Sequence, residues 1–527
     1  MCIGTVLVGP PGGSGGGRSQ QQSPAGAGRD SGVADYGLTT LTDAMAAGDE
    51  FLTRVVTVAL LSRLDDPEAI GYRQQVLTDC LEHPSLAREL YGLAGDALAV
   101  EKKIWAPFRA DTPDSALSWS MNMLEALLPL PLLLRLRQLA ERHRGQVQSA
   151  GLTALFDLLI AELDEAYLAL VADQLQQLQF RRGLLLSAEL GGDLRGVGHV
   201  IRRPGRSPSR WSELFGHGDG SSFSFSVPER DEAGWRAVAE LRDEGLAGLA
   251  KAATEAADHL LAFFTMLRRE IGFYVGCVQL HVRLTAAGEA TCLPVPVPPG
   301  EPRLRCAGPY EPGLALRGEV AVVGNDIDAD GRSMIVVTGA NQGGKSTFLR
   351  SVGIAQLMMQ CGMFVPAQAY TATAYREILT HYRREEDASM TSGKLDEELA
   401  RMNSIADVVR RGSLLLSNES FASTNEREGA QIGRHVFGAM TSCGVTVVAV
   451  THLFDLADSL YRAGGPTLFL RAERQPDGGR DFRLVEGRPL STGYGRDLYE
   501  RVFGSISVEP TATTSNGHAA VPASLID

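Results

Sequence analysis

The sequence has little of what marks several protein classes. Its 7 cysteines are scattered, odd in number and never spaced as C-x-x-C, which disfavours a disulfide framework or a zinc site and indicates a reducing compartment, the cytoplasm. No stretch predicts a membrane span, since the most apolar run, residues 126–134, contains two prolines. The net charge of −13 excludes a globally basic nucleic-acid binder, although a local basic patch is still allowed.

Apolar side chains, in contrast, are plentiful: 44% of the 527 residues are hydrophobic, enough for several soluble domains. From residue 36 to about 300, apolar residues recur mostly at helical spacing, and we expect one long helix over 232–282 with a break near Gly272. Gly-, Ser- and Pro-rich residues 1–35 predict a disordered tail, and residues 505–527 a flexible one.

A proline-rich stretch at 291–300 predicts a domain boundary. Strands and helices then alternate up to residue 504, and the first strands are predicted at 303–306, 314–316, 320–323 and 334–337. The fold class predicted is therefore multidomain, with a mainly α-helical domain followed by an α/β domain.

One segment carries a specific nucleotide-binding pattern. Two glycines followed by Lys345 and Ser346, between an apolar strand and a helix, have the spacing of a phosphate-binding loop; the alternative is a chance glycine-rich turn. Glycines let backbone N–H groups face a polyphosphate, the lysine adds a full charge, and the Ser346 hydroxyl suits Mg²⁺. The predicted nucleotide-binding residues are Gly339, Ala340, Asn341, Gln342, Gly343, Gly344, Lys345, Ser346 and Thr347.

Two later strand ends carry polar residues that fit such a site. The apolar run 414–416 leads to Asn418 and Glu419, and the run 445–450 leads to His452. Glu419 is the only acid at its strand end, so we expect it to orient or deprotonate the attacking water. Asn418 stands where an aspartate usually holds Mg²⁺ through water. His452 is placed to sense the γ-phosphate; the alternatives are a surface glutamate and a structural histidine.

An arginine-rich segment interrupts the helical half. Between Asp193 and Glu213 there is no acid, whereas glycines and prolines are frequent. One interpretation is a loop that contacts nucleic-acid phosphates, which arginine binds well; the other is a solvated connecting loop. The candidate DNA-contacting residues are Arg195, Arg202, Arg203, Arg206 and Arg210.

Taken in order, these motifs resemble those of the MutS family of DNA mismatch-repair ATPases, which belong to the ABC-type ATPases. The resemblance is strong from about residue 300 to 500 and weaker from 36 to 300. The similar segments are the phosphate loop 339–347 (GANQGGKST), the segment before it at 323–327 (VGNDI), the loop after the first ATPase helix at 362–367 (GMFVPA), the second acidic motif at 418–419, the trans-acting signature loop at 423–429 and the switch histidine motif at 451–452.

The resemblance implies a P-loop, ABC-type ATPase domain at 301–504 and a helical core and lever domain at 36–300, with a reduced clamp at about 190–228. It implies a homodimer that uses ATP and Mg²⁺ and acts on DNA, with no membrane. Lys345, Glu419 and His452 would be catalytic, and Ser346 and Asn418 would hold the metal. ATP would lie between one subunit's Lys345 loop and the other's signature loop, which carries Ser423, Thr424 and Asn425.

The chain also departs from the family pattern. Asn418 replaces an acidic residue, Asn425 stands at the signature serine, and we find no mismatch-reading domain before the lever region. We therefore expect a shortened member, for which mismatch recognition does not follow from the sequence. A rival interpretation is a nucleotide-gated dimeric scaffold or clamp with little hydrolysis and no intrinsic DNA recognition. A metabolic P-loop kinase is a third, but it leaves the long helical half unexplained.

Overall fold

The computed structural model describes residues 35–104, 112–127, 132–180, 183–192, 196–202, 226–383, 393–475 and 479–491. The two predicted tails, apart from residue 35, and most of the arginine-rich segment lie outside these residues. The described residues form two compact units. The first comprises the chain up to Val322, with Asp326–Asp328 and Arg350–Arg376, and the second comprises Val323–Asn325, Ala329–Leu349 and the chain from Glu377 onward.

The first unit is mainly helical, as the apolar spacing predicts. Asp49 caps its second helix, because the carboxylate accepts the backbone N–H groups of Phe51 and Leu52. The same helix buries Leu52, Val56 and Leu60, spaced four apart on one face. Numbered in chain order, the helices are α1 (Leu38–Ala46), α2 (Glu50–Leu61), α3 (Pro67–Glu82), α4 (Pro84–Lys103), α5 (Pro113–Leu127), α6 (Leu132–His143), α7 (Ala150–Glu162), α8 (Glu165–Leu178), α9 (Glu232–Ala286) and α10 (Pro312–Arg317).

Helix α9 runs for 55 residues without interruption, a length of about 80 Å at the α-helical rise. The predicted break near Gly272 is therefore wrong. A Cβ at Gly272 would lie 3.1 Å from Leu52 Cδ2, and one at Gly276 would lie 2.6 Å from Val56 Cγ1. These glycines permit close packing against α2, and the packing compensates for their low helix propensity.

A two-stranded and a four-stranded sheet complete the first unit. β1 (Leu186–Leu190) and β2 (Gly196–Ile201) form an antiparallel hairpin. Residues 196–201 belong to the arginine-rich segment that the sequence predicts to be a loop, so the loop prediction is wrong for these residues. The larger sheet has the order β3-β7-β4-β5. Its strands are β3 (Val295–Val297), β4 (Leu304–Ala307), β5 (Ile327–Asp328) and β7 (Ala369–Thr373).

Two of the strands predicted after the proline-rich stretch do not form. Residues 314–316 belong to helix α10, because Pro312 suits the first helical turn and the Glu311 carboxylate accepts the N–H groups of Gly313 and Leu314. Residues 320–323 have no regular structure. Val320 is 58% exposed, so this run has no buried face to favour a strand.

The second unit is built on a six-stranded sheet with the order β12-β11-β6-β10-β9-β8. Neighbouring strands are parallel except β11 and β12. The strands are β6 (Met334–Gly339), β8 (Ile378–Tyr382), β9 (Leu414–Asn418), β10 (Thr446–Val450), β11 (Thr467–Ala472) and β12 (Leu484–Glu486). The strands predicted at 334–337, 414–416 and 445–450 are confirmed, and the chain as a whole is a mixed α and β protein.

Helices alternate with these strands, namely α11 (Lys345–Gln360), α12 (Lys394–Val408), α13 (Glu426–Ser442) and α14 (Phe454–Ala463). One core cluster joins alternate residues of the central strands to these helices: Val336 and Val447 pack with Met402, Phe437 and Leu456. Because parallel strands are covered on both faces, their sequences are continuous apolar runs rather than alternating ones.

By length and hydropathy alone, one segment of the described chain could cross a membrane, namely Pro113–His143, which includes α5 and α6. In this structure 64% of its most apolar window is buried inside the protein. A mostly buried apolar helix is typical of a core helix, so the segment is weak evidence for a membrane span.

Candidate nucleotide-binding site

Three chain segments meet at one edge of the six-stranded sheet. Strand β10 lies between β6 and β9 and is parallel to both, so all three strands end on the same side. The chain leaves β6 through residues 340–344, leaves β9 at Glu419, and leaves β10 at Thr451 and His452. Ligands of such sheets bind outside the carboxyl ends of the strands. The predicted phosphate-binding, water-activating and switch residues therefore share one edge.

The loop after β6 is shaped by backbone conformations that favour glycine. Gly339 has φ 102°, Gln342 has φ 58° and Gly344 has φ 83°. A Cβ on Gly339 would approach the carbonyl oxygen of Ala472 to 2.4 Å, so neither the conformation nor the space allows a side chain there. The Ala340 N–H donates to that same carbonyl at 3.1 Å, which holds the loop against β11.

The remaining predicted loop residues continue this turn into the helix. The N–H of Gly343 donates to the carbonyl oxygen of Ala340 at 3.2 Å, and the carbonyl of Asn341 accepts from Arg480 Nε at 3.3 Å. Thr347 lies in the first turn of α11. A glycine-rich loop that leads into a helix N-terminus presents backbone N–H groups and the positive end of the helix dipole, which together favour a polyphosphate.

Lys345 is the first residue of α11 and is 6% exposed. Its Nζ donates to the carbonyl oxygens of Gly339 at 3.1 Å and Ala340 at 2.9 Å, so the ammonium lies over the loop. Burial lowers the pKa of Lys345, the nearby Glu419 carboxylate opposes that shift, and Arg480 adds to it. A buried ammonium of this kind is stabilised by anionic groups.

Ser346 and Asn418 are in direct contact, although they are 72 residues apart. The Ser346 hydroxyl donates to Asn418 Oδ1 at 3.0 Å. Adjacent oxygen ligands of an octahedral Mg²⁺ lie about 3 Å apart, so this pair fits two positions of a metal that phosphates also bind. Among the described residues, no group of three or more His, Cys, Asp or Glu side chains could hold a metal by itself.

Glu419 and His452 form a pair at the ends of β9 and β10. Glu419 Oε2 lies 3.5 Å from His452 Nδ1, and the Glu419 N–H donates to the Val450 carbonyl oxygen at 2.9 Å. Glu419 has φ 53°, a left-handed conformation that turns the chain sharply out of the strand. The hydrogen bond from His452 lowers the pKa of Glu419; burial opposes this, and Lys345 and Arg383 lower the pKa further. Glu419 is therefore held ionised beside Lys345.

Three residues near the loop are not among the site residues predicted from the sequence. Asn325 Nδ2 donates to the Phe482 carbonyl oxygen at 3.1 Å, and Asn325 Oδ1 accepts the Leu484 N–H at 2.7 Å. A Cβ on Gly344 would lie 3.5 Å from Phe482 Cβ, so this segment borders the loop. Arg480 reaches the loop from the same segment. The resemblance of residues 323–327 marks Asn325, but no pattern marks Arg480 or Phe482, which lie more than 130 residues from the loop in sequence.

The predicted signature loop lies between β9 and α13. Asn425 is the N-cap of α13, because its side chain accepts the Glu428 N–H at 3.0 Å. Thr424 Oγ1 donates to Glu428 Oε2 at 2.6 Å. Ser423 is half-buried and lies two residues before this cap. The loop is therefore fixed to α13 at its Asn425 end.

Of the candidate DNA-contacting arginines, the structure describes Arg202 alone; Arg195, Arg203, Arg206 and Arg210 lie outside the described residues. Arg202 follows strand β2 and is exposed. Its N–H donates to the Leu185 carbonyl oxygen at 2.8 Å, and its Nε donates to Ser187 Oγ at 2.9 Å. Arg202 thus extends the hairpin pairing by one residue.

Two family models match the chain. The model of the MutS2 N-terminal domain matches residues 65–287, and the model of MutS domain V matches residues 335–463. The first match lies in the helical unit. The second contains the loop after β6 and the ends of β9 and β10.

Individual relatives are similar over shorter stretches. Endonuclease MutS2 of Lactiplantibacillus plantarum is 33% identical over 138 residues, which is 26% of this chain and 17% of the relative. DNA mismatch repair protein MutS of Thermotoga petrophila is 33% identical over 162 residues, 30% of this chain and 20% of the relative. MutS protein homolog 4 of Mus musculus is 28% identical over 148 residues, 28% of this chain and 15% of the relative.

The chain thus aligns with a fifth or less of the length of these curated relatives. The two family models nevertheless match both halves of the chain, and the second match includes the candidate site. The chain belongs to the MutS family.

Proposed function

We propose that the chain is a DNA-processing ATPase of the MutS type that works as a homodimer in the cytoplasm. Its ATP binding and hydrolysis would drive movement of the helical unit on DNA, in mismatch repair or a related process. The observation that carries the proposal is the meeting of Lys345, Glu419 and His452 at one sheet edge, since this edge combines a phosphate loop with an ionised carboxylate and its histidine partner.

The chemistry divides among the residues as follows. The backbone of residues 339–344 and the Lys345 ammonium bind the phosphates and offset their charge. Glu419 stays ionised because of its hydrogen bond to His452 and can accept a proton from, or orient, the attacking water. His452 is 43% exposed, and its bond to Glu419 links any displacement of its ring to the position of the carboxylate.

Mg²⁺ fits this site as a partner of the nucleotide rather than of the protein alone. Ser346 Oγ and Asn418 Oδ1 would hold it, and the metal would supply positive charge toward the phosphates. Both oxygens are neutral, whereas an aspartate at 418 would bring a charge. We therefore expect hydrolysis to require a higher Mg²⁺ concentration than it would with an aspartate at position 418.

A second copy of the chain would complete the site. In this proposal the loop with Ser423, Thr424 and Asn425 contacts the nucleotide bound to the partner, so that ATP holds two subunits together. The fixed geometry of this loop, capped by Asn425 on α13, supports a binding role in place of a flexible connection. DNA would be contacted from the helical unit, where Arg195, Arg202, Arg203, Arg206 and Arg210 supply positive charge.

The test is steady-state ATP hydrolysis by the purified protein, without DNA and with plain, mismatched and branched duplexes. We expect hydrolysis that depends on Lys345, is lost in Lys345→Ala, and is stimulated by at least one DNA. DNA affinity should fall steeply with salt, and the triple variant Arg202→Ala, Arg203→Ala, Arg206→Ala should reduce that salt dependence. Hydrolysis that no DNA changes would contradict the DNA-processing part.

Asn418 favours a second candidate, a nucleotide-held dimeric scaffold with little hydrolysis and no intrinsic DNA affinity. A neutral metal ligand weakens metal binding without preventing ATP binding. Size-exclusion chromatography separates the two candidates when it is combined with the hydrolysis assay. ATP-dependent dimerisation without turnover would support the scaffold.

A further inference from the structure

His381, on strand β8, is a fully buried histidine whose two ring nitrogens both make hydrogen bonds. Nδ1 lies 2.6 Å from Ser420 Oγ, and Nε2 lies 3.0 Å from the carbonyl oxygen of Glu398 on α12. The ring also stacks on Phe421. Burying an imidazole costs free energy unless its nitrogens are hydrogen-bonded, whereas an apolar ring would meet a packing requirement without that cost. Packing alone therefore does not account for a histidine at this position.

The direction of these hydrogen bonds follows from the chemistry of the partners. A carbonyl oxygen only accepts, so Nε2 carries a proton and donates it to the Glu398 carbonyl. In the neutral ring Nδ1 is then an acceptor, and the Ser420 hydroxyl donates to it. Ser420 Oγ also lies 3.1 Å from the backbone carbonyl oxygen of His381 and 2.6 Å from Ser417 Oγ. The two serines thus form a hydrogen-bonded chain that ends on the His381 ring.

This chain of hydrogen bonds lies where the strand pairing of β9 ends. Strand β9 pairs with β8 and β10 as far as Asn418. Beyond it, Glu419 has φ 53° and Phe421 has φ 64°, so the backbone turns sharply out of the sheet. Ser420 lies between these two residues. Its contact with His381 therefore holds the turn beyond the last residue of the strand, next to the proposed base.

We propose that His381 is a positioning residue: its ring binds Ser420 and thereby holds the Glu419 carboxylate where it meets His452 and the attacking water. This inference rests on the proposed function, because it takes Glu419 as the base. His381 itself touches neither nucleotide nor water in this proposal. It reaches the turn from β8, which lies on the other side of β9 from β6 and its phosphate loop. Its effect should therefore fall on the rate of hydrolysis and not on ATP binding.

Three substitutions of His381 separate its two hydrogen bonds. His381→Asn keeps an acceptor near the position of Nδ1, beside Ser420, and His381→Gln keeps a donor near Nε2, beside the Glu398 carbonyl. His381→Phe loses both bonds and keeps a ring that stacks on Phe421. We expect single-turnover hydrolysis to slow about tenfold or more in the Phe and Gln variants and by less than about threefold in His381→Asn, with ATP affinity within about twofold of wild type throughout. His435→Asn, at an exposed histidine on α13, is the control and should match the wild type.

A double variant shows whether His381 acts through the base. If His381 only positions Glu419, adding His381→Phe to Glu419→Gln should slow single-turnover hydrolysis by less than about a further twofold, because the group that it positions is already lost. A general structural defect would instead add its full tenfold loss, as independent effects do. Melting temperatures of all variants accompany the rates. We expect His381→Asn to hydrolyse ATP faster than His381→Gln even where their melting temperatures are equal.

Several results would overturn the inference while leaving the proposed ATPase intact. They are full activity of His381→Phe, equal rates in the Asn and Gln variants, rates that only follow the melting temperatures, and additive losses in the double variant. Should His381→Phe not fold, Ser420→Ala removes the same contact from the other side and should give the same loss of rate with the same ATP affinity.

The proposed function can fail separately from this inference. If the wild type hydrolyses no ATP, the ATPase proposal fails, and crystal structures of the wild type and His381→Phe then test the positioning. A Glu419 carboxylate that leaves its place 3.5 Å from His452 Nδ1 in the variant supports the inference, and one that stays there overturns it.

Discussion

The loops after β6 and β9 lie at the same sheet edge but obtain their shapes differently. In the first, two of the three residues with positive φ are glycines, at 339 and 344, and the third is Gln342; a side chain at 339 would collide with β11. In the second, positive φ occurs at Glu419 and at Phe421, with φ 64°. Phe421 is fully buried, and its ring stacks on His381 with centroids 5.6 Å apart. Burial of the ring thus maintains the positive φ at Phe421, whereas at Gly339 the absence of a side chain permits it.

The comparison shows when the conformation of a loop can be predicted from sequence. Where glycines permit the backbone conformation, the glycine spacing predicts it. Where tertiary packing maintains the conformation, it depends on residues that are distant in the chain. Non-glycine residues held at positive φ cost about 1–3 kcal/mol each and persist only where the surroundings determine them. The loop after β9, with no glycine at its two positive-φ positions, is therefore expected to depend on its neighbours more than the loop after β6, where glycine occupies two of three.

The largest effect is expected from Gly339→Ala. A methyl group there would lie 2.4 Å from the Ala472 carbonyl oxygen, in a conformation that side chains avoid. We expect a loss of about 3 kcal/mol or more in unfolding free energy, together with loss of ATP binding. Urea unfolding and a fluorescent ATP analogue measure the two effects. Gly438→Ala, on α13 with nothing within 4 Å of the added methyl, is the control and should be neutral or stabilising by up to about 1 kcal/mol.

In the loop after β9, we expect a smaller loss of stability, caused by lost packing rather than by a steric collision. Phe421→Gly relieves the φ 64° conformation but removes a fully buried ring, and the loss of packing outweighs the relief. We expect a destabilisation of about 2–4 kcal/mol in urea unfolding, followed by circular dichroism. Glu419→Gly, at the partly exposed neighbouring strained position, should change stability by no more than about 1 kcal/mol. A stabilised Phe421→Gly would show that strain, and not burial, dominates this loop.

Asn418→Asp tests the metal side of the comparison. A carboxylate beside Ser346 would add the charge that the amide lacks. We expect half-saturation of hydrolysis at a Mg²⁺ concentration about tenfold lower, which corresponds to about 1.4 kcal/mol of binding free energy. Mg²⁺ titrations at saturating ATP measure it. An unchanged titration would mean that phosphates alone hold the metal.

The smallest effect concerns pH. The hydrogen bond from His452 lowers the pKa of Glu419 below its ordinary 4.5, so the ionised base persists as the pH falls toward that value. His452→Ala removes this bond, the pKa of Glu419 rises, and the acidic limb of the hydrolysis profile should move to higher pH. The stability contributed by the pair is likewise present above the ordinary pKa and lost as pH falls below it. If the acidic limb of the profile does not move, His452 does not lower the pKa of Glu419.

Sequence predicted the parts of this molecule that depend on local pattern. The strands at 334–337, 414–416 and 445–450 are confirmed because buried parallel strands are continuous apolar runs. The family was recognisable because the motifs of the sheet edge occur in order. Their roles stay predictions. The placement of Ser346 against Asn418 agrees with the idea that both serve one metal.

What the sequence could not predict depends on tertiary packing. Gly272 suggests a helix break in the sequence, but in the structure it permits close packing against Leu52. Residues 314–316 suggest a strand by their apolar character, but the Glu311 cap favours a helix there. His381 carries no local pattern that relates it to Ser420 or to the Glu398 carbonyl, because these contacts join separate elements. These residues become visible only when the sheet brings them together.

The most direct test of the central claim is single-turnover hydrolysis of bound ATP by wild type and Glu419→Gln. The substitution keeps the shape of the side chain and removes its charge beside Lys345. The account predicts ATP affinity within about twofold of wild type and hydrolysis slower by about 100-fold or more. Hydrolysis at the wild-type rate in Glu419→Gln would contradict it, because the base would then have to lie elsewhere.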